Sequence, residues 1–151
     1  MIDRRQALAA AAAIGASLMA ARPAAAAPEK KHRVALHIDD NDADRMNMAL
    51  NNASNITELY AQKGEEVEIE IVTYGPGLHM LRADTSPVKD RIKSFMQSMP
   101  NIAFAACANT MAGMKKREGH DIPLLPDVQV VPAGVVHLME RQEQGWSYIK
   151  P

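Results

Sequence analysis

Short alternating stretches of apolar and polar residues are separated in this chain by longer stretches with helical spacing. Residues 67–71 place valine and isoleucine between glutamates, a period of two that predicts a strand continuing to Tyr74. In residues 46–60 the apolar positions recur every three or four residues, which predicts a helix that ends at Gly64. The same patterns predict other strands at 34–38, 102–107, 128–131 and 146–149, and other helices at 88–99, 109–116 and 133–144.

Glycine, proline and acidic residues mark where several of these elements begin and end. Ser86 followed by Pro87 predicts a helix start, because the hydroxyl can cap the first turn and proline lacks an amide that this turn leaves unpaired. Residues 75–77, Gly-Pro-Gly, predict a strand-ending turn, since they lack the flanking residues of a phosphate-binding loop. Residues 40–44 resemble a calcium loop only superficially, because Arg45 stands where the turn glycine belongs, and their acidic side chains are predicted to cap the next helix.

The regular alternation of predicted strands and helices defines the fold class. It predicts a single α/β domain with about five strands in a mainly parallel sheet and helices on both faces. In such sheets ligands bind outside the carboxyl ends of the strands. Four segments that follow predicted strands would meet at that edge: 39–42, 74–77, 107–110 and 132–134.

The first 27 residues have the organisation of an export signal. Arg4 and Arg5 precede an alanine-rich apolar stretch, and small residues follow it, so a signal peptide of the twin-arginine type is predicted, with cleavage near Ala26 or Ala27. The apolar stretch is too short for a membrane span, and no stable membrane insertion is expected after its removal. The sequence therefore predicts a signal peptide at 1–27, an α/β domain at 28–151 and a periplasmic location.

Charge and histidine spacing exclude several classes of function. The whole chain has a net charge of −1, and removal of residues 1–26 takes three of the 17 basic and one of the 18 acidic residues, which leaves −3. Nucleic-acid binding is therefore not expected, because it requires a basic surface. No pair of histidines has the spacing of a zinc site, and no metal or other cofactor is predicted.

Cys107 is the single cysteine of the chain and the best candidate for chemistry. It stands where a buried strand gives way to a helix, and the positive end of that helix would favour the thiolate, which is the reactive form. The alternative is a structural role, because free cysteine is among the most buried residue types. The residues alone do not decide between these two interpretations.

The other candidates are polar or glycine residues of the same predicted edge. His79 is the one histidine near it and is a secondary candidate to assist a thiolate. The predicted ligand-binding residues are Asp39, Asn41, Tyr74, Gly75, Gly77, Asn109 and Thr110.

Several stretches of the mature chain occur in the order and spacing of a known family. They are 50–56 (LNNASNI), 72–78 (VTYGPGL), 107–111 (CANTM) and 131–136 (VPAGVV) running on to 144–149 (QGWSYI). Together they resemble the DsrE/DsrF-like family, which includes the YchN-like small α/β proteins. The resemblance implies a five-stranded parallel sheet between helices and assembly into homotrimers or homohexamers. In sulfur-relay members a cysteine near a strand end carries sulfane sulfur as a persulfide, and Cys107 matches that position.

Three functions follow as hypotheses. The first is an exported sulfur carrier that forms a persulfide on Cys107 and meets a sulfur donor and acceptor, either proteins or small sulfur compounds. The second is an oligomeric module for small-ligand binding or assembly, with Cys107 as a structural residue. The third is a thiol-dependent redox enzyme, which is disfavoured because no second cysteine is present to resolve an intermediate.

Overall fold

The computed structural model describes residues 32–151, a single α/β domain. The predicted signal peptide and residues 28–31 lie outside the described residues. The strands are β1 (His32–Ile38), β2 (Val67–Thr73), β3 (Ile102–Cys107), β4 (Gln129–Val131) and β5 (Ser147–Ile149). The helices are α1 (Ala43–Gln62), α2 (Lys89–Ser98), α3 (Ala108–Glu118) and α4 (Gly134–Glu143), and a 3₁₀ helix spans Gly75–Leu81.

The five strands form one parallel sheet in the order β4-β3-β2-β1-β5, which confirms the predicted fold class. From β1 to β4 each connection moves to the next strand in the same direction, so right-handed crossovers place α1, α2 and α3 on one face. The connection from β4 to β5 returns across the whole sheet, which places α4 on the opposite face. The helices therefore cover the two faces unequally.

The hydrophobic core divides in the same way. On the face covered by three helices, β1 contributes Val34, Leu36 and Ile38 to a large buried cluster that continues into α1 and α2. On the other face a smaller cluster lies under α4, and most of its members have short side chains. It contains Ala35, Val72, Ala105, Val131, Leu138 and Trp146. This thinner side of the molecule carries the alternate residues of each strand, including His37 and Cys107.

Element boundaries agree with the sequence at most positions. Asp42 caps α1 as predicted for the acidic segment, since its carboxylate accepts hydrogen bonds from the amides of Asp44 (2.8 Å) and Arg45 (3.2 Å). α2 begins at Lys89, one residue after the predicted start, and its N-cap residue is Val88, whose amide donates to the Ser86 hydroxyl at 3.3 Å. The same hydroxyl donates to the Met80 carbonyl at 2.6 Å and so fixes the turn that precedes the helix.

Within residues 32–151, no helix combines the length and the apolar character needed to cross a membrane.

Candidate functional site

The carboxyl ends of β3 and β4 form the switch point of the sheet. These strands are neighbours, with Cys107 opposite Val131 in the register. The chain leaves β3 into α3 on one face and leaves β4 into α4 on the other, which is the arrangement that forms a binding crevice in open α/β sheets. Open α/β sheets bind ligands at such a point. Cys107, the last residue of β3, lies at its base.

The Cys107 sulfur is surrounded by hydrogen-bond donors from both helix starts. In α3 the amide of Thr110 donates to Sγ at 3.5 Å, while the amide of Asn109 donates to the Pro132 carbonyl at 3.3 Å and also lowers the pKa of the thiol. From α4 comes the amide of Gly134. The Thr110 hydroxyl accepts a hydrogen bond from the Gly75 amide at 2.9 Å, which leaves its own proton for the sulfur. Two positive helix ends therefore meet at one thiol.

These donors decide the ionisation of the thiol. Burial raises the pKa of Cys107, but hydrogen bonds from the Thr110 hydroxyl and from the amides of Gly134, Thr110 and Asn109 lower it by more, so the pKa lies below the ordinary value. The cysteine is only 4 % exposed. Its immediate surroundings are nevertheless polar amides and a hydroxyl, which are suited to hold a thiolate rather than an inert thiol.

Two glycines allow the backbone to close around this edge. A Cβ on Gly134 would lie 3.0 Å from Cδ1 of Tyr74 and 3.3 Å from Cβ of Cys107, so only glycine lets α4 start so close to the sulfur. A Cβ on Gly77 would lie 2.2 Å from the carbonyl oxygen of Ile38. Gly77 thereby packs the 3₁₀ helix directly onto the end of β1, and its amide donates to the Asp39 carbonyl at 3.0 Å.

Beside the sulfur, three aromatic side chains form a row along the thinner face of the sheet. The Tyr74 ring lies 4.4 Å from the buried His37 ring, centroid to centroid. His37 Nδ1 is hydrogen-bonded to the Tyr148 hydroxyl at 2.8 Å, while its Nε2 is buried without a hydrogen-bond partner among the described residues. Burial lowers the pKa of His37 and raises the pKa of Tyr74, so both rings are neutral at pH 7. The row runs from β5 to the edge of the Cys107 crevice.

The DsrE/DsrF-like family model matches residues 24–151. This protein belongs to the DsrE/DsrF-like family. The solved structure of MTH1491, a protein of unknown function from Methanobacterium thermoautotrophicum, is similar to it, with 35 % identity and a TM-score of 0.67 over 80 % of this chain and 99 % of that one. No curated protein matches the sequence. Membership of the family points to a protein of the sulfur-relay type.

Most of the predicted site residues of this DsrE/DsrF-like protein lie together at the carboxyl edge. Thr110 is hydrogen-bonded to the sulfur, Asn109 lies beside it in the first turn of α3, and Gly75, Gly77 and Tyr74 follow β2 as expected.

The remaining three predicted residues lie at the margins of this edge. Asp39 follows β1, and its carboxylate accepts a hydrogen bond from Lys150 at 2.7 Å, which lowers the pKa of Asp39. Asn41 is exposed in the loop before α1. His79 is bonded to Thr85 at 2.7 Å and lines, with Asn109, Thr110 and Arg117, an open cavity of about 550 Å³ beside the start of α3. Cys107 does not line this cavity.

Sequence reasoning missed three residues of the site. Gly134 was placed at the edge but given no role, and His37 and Tyr148 were interpreted as strand and core residues. The alternation in β1 contained a signal for His37, because it falls on the same face as Ala35, opposite the apolar face of Leu36.

Among residues 32–151 there is no group of three or more His, Cys, Asp or Glu side chains arranged to hold a metal ion.

Proposed function

We propose that this DsrE/DsrF-like protein is a sulfur carrier that accepts a sulfane sulfur on Cys107 as a persulfide. The observation that carries the proposal is the meeting of two helix starts at Cys107, where the Thr110 amide donates to the sulfur at 3.5 Å and Gly134 packs against the cysteine from the start of α4. The same donors that stabilise a thiolate before transfer would stabilise the anionic persulfide after it.

The proposed reaction is an exchange without net oxidation. The Cys107 thiolate attacks the outer sulfur of a donor persulfide, a new S–S bond forms on Cys107, and the bond between that sulfur and the donor breaks. The donor leaves as a thiolate with the electron pair and takes a proton from water. A second thiolate, that of the acceptor, then attacks the terminal sulfur and releases Cys107 as a thiolate. The chain's single cysteine is sufficient for this cycle.

The test is the mass of the intact protein after incubation with a small persulfide such as glutathione persulfide. We expect a gain of one sulfur atom that is removed by a thiol acceptor and is absent from Cys107→Ser. An ordinary thiol pKa for Cys107 together with no transferable sulfur would refute the proposal. The control is the melting temperature of Cys107→Ser. If it equals that of the wild type, the loss of sulfur acceptance results from the missing thiol and not from unfolding.

A ligand-binding or assembly module remains the second candidate, favoured by the 4 % exposure of Cys107. In that case the cysteine packs as a small residue and the crevice at the switch point holds a ligand without covalent chemistry. Cys107→Ser would then retain assembly and ligand binding in full. If the wild type accepts sulfur and Cys107→Ser does not, while both assemble, the cysteine serves sulfur transfer and assembly is independent of it.

We also propose that copies of this chain assemble, as a homotrimer or homohexamer, through the outer surface of α4. Val135, Val136 and Met139 are 55 %, 46 % and 54 % exposed there, and Tyr148 on the same face of the sheet is 41 % exposed. Apolar side chains grouped in this way favour a protein contact. Light scattering of the wild type and of Met139→Lys tests this, with a smaller species expected for the variant and a wild-type monomer contradicting it.

Export to the periplasm through the twin-arginine route is proposed from Arg4 and Arg5 and the apolar stretch after them. Cell fractionation of a bacterium expressing the full chain tests it. The wild type is expected in the periplasm in a shortened form, and the double change to lysine at both arginines is expected to retain the full-length chain inside the cell. An unshortened wild-type chain in the cytoplasm would contradict it.

A further inference from the structure

Glu70 carries a buried negative charge in the middle of β2. It is 2 % exposed and points to the face that α4 covers. His137 Nε2 lies 2.9 and 3.0 Å from its two carboxylate oxygens, and Arg141 donates through Nε at 2.7 Å and through Nη2 at 3.3 Å. Both partners belong to α4. The hydrogen-bonding capacity of this carboxylate is therefore directed to one helix.

The apolar contacts of α4 with the sheet are few. Only Gly134 and Leu138 of this helix are buried, and the cluster around Leu138 consists mainly of alanine and valine. Among the described elements, α4 is the helix that covers this face. With so little apolar surface buried, its position depends strongly on the charged contacts made one and two turns beyond Gly134.

Gly134 is where the position of α4 affects the sulfur. Its amide lowers the pKa of Cys107, and a Cβ at this position would lie 3.0 Å from the Tyr74 ring, so the helix start is tightly packed here. His137 is one helical turn further, on the same side of the helix. A movement of α4 away from the sheet would therefore withdraw a donor and a positive helix end from the thiolate.

We infer that Glu70 is a positioning residue for Cys107, because it holds His137 and Arg141 and so keeps the start of α4 on the sulfur. This inference rests on the proposed function and adds a residue to its site. Glu70 itself is not expected to contact substrate. Its effect on the sulfur passes through α4.

The experiment measures the rate of Cys107 alkylation by iodoacetamide against pH in Glu70→Gln. The amide keeps the size of the side chain but offers a donor where His137 and Arg141 need an acceptor. We expect the midpoint of the pH profile to move upward. Removal of a negative charge would by itself move it downward, so the sign of the shift separates positioning from a direct electrostatic effect.

Glu68→Gln is the matched control, since it removes the same charge from the same strand, and among the described residues Glu68 acts on Arg141 through its charge and not through a hydrogen bond. Its midpoint is expected to stay unchanged or to fall.

Arg141→Lys is the second variant and preserves the charge while losing the planar fork that holds Glu70. It is expected to move the midpoint upward as well, and it serves if Glu70→Gln does not fold.

The outcomes distinguish a failure of the proposed sulfur-carrier function from a failure of the positioning role of Glu70. A wild type with an ordinary thiol midpoint and no transferable sulfur refutes the proposed function. A wild type with a lowered midpoint, together with folded Glu70→Gln or Arg141→Lys profiles that coincide with it, overturns the positioning role and leaves the sulfur carrier intact. An upward shift in Glu70→Gln and not in Glu68→Gln supports the inference.

Discussion

Gly134 stands against Cys107 with space for hydrogen and for nothing larger. A methyl group there would meet Cβ of Cys107 at 3.3 Å and the Tyr74 ring at 3.0 Å. These neighbours are the start of a side chain and a ring packed on His37, and neither can move aside freely. The approach of α4 to the sulfur therefore requires a glycine at this position.

Gly134→Ala is expected to lower the free energy of unfolding by about 1–3 kcal/mol, because the added methyl overpacks the crevice. It is also expected to raise the alkylation midpoint of Cys107 as the amide moves away. Gly113→Ala in the middle of α3 is the control, since its methyl would meet only the flexible Arg117 guanidinium at 3.5 Å. That change should stabilise by about 0.5–1 kcal/mol, through helix propensity. Equal stability changes in the two variants would contradict the packing argument.

Thr110→Val removes the hydroxyl that lies between the Gly75 amide and the Cys107 sulfur. Loss of a donor to the thiolate raises the pKa of Cys107, so alkylation at neutral pH should slow. The unpaired Gly75 amide should cost about 1–2 kcal/mol of unfolding free energy. Thr85→Val, which removes a hydroxyl bonded to His79, is the control. A Thr110→Val profile that matches the control would show that the hydroxyl does not act on the sulfur.

The sequence predicted the elements and the edge well because local patterns determine them. Alternation in β2 and the polar residues that follow each strand place Tyr74, Asn109 and Thr110 at the same edge of a parallel sheet as Cys107. The order of strands and the unequal covering of the two faces are not local properties. The sequence placed Glu70 and His37 in strands without indicating their contacts, because their partners lie 71 and 111 residues away in the sequence.

His37 makes the stability of the fold depend on pH. Burial lowers the pKa of His37 in the folded chain, outweighing the upward effect of Asp39. As pH falls below about 6.5 the unfolded chain binds the proton more readily, so the free energy of unfolding should decrease by up to about 1.4 kcal/mol per pH unit.

Chemical denaturation of His37→Asn between about pH 7.5 and about pH 5 tests this dependence, because this range brackets the ordinary histidine pKa of about 6.5. The shorter side chain keeps a polar group near the Tyr148 hydroxyl and removes the titration. The stability of the variant relative to the wild type should therefore rise as pH falls. The exposed His120 is the control position, and a wild-type slope in His37→Asn would assign the effect elsewhere.

Asp84 is expected to contribute to stability in acid. The buried Arg82 guanidinium lowers the pKa of Asp84 to about 2, so the contribution is fully present above about 4 and is lost as pH falls through about 2. Asp84→Asn should flatten this part of the unfolding curve, measured by circular dichroism during acid titration. Asp90→Asn, an exposed change at the start of α2, should retain the wild-type slope. An unaltered slope in Asp84→Asn would refute the assignment.

The placement of β5 at the edge of the sheet has a consequence for the local stability around the sulfur. β5 is exposed at all three residues, and α4 buries only Gly134 and Leu138, so this part of the fold has few buried contacts. Segments of this kind open at low free energy in partial unfolding. The surroundings of the thiolate should thus open before the rest of the sheet, and amide hydrogen exchange should be faster in α4 and β5 than in β1, β2 and β3.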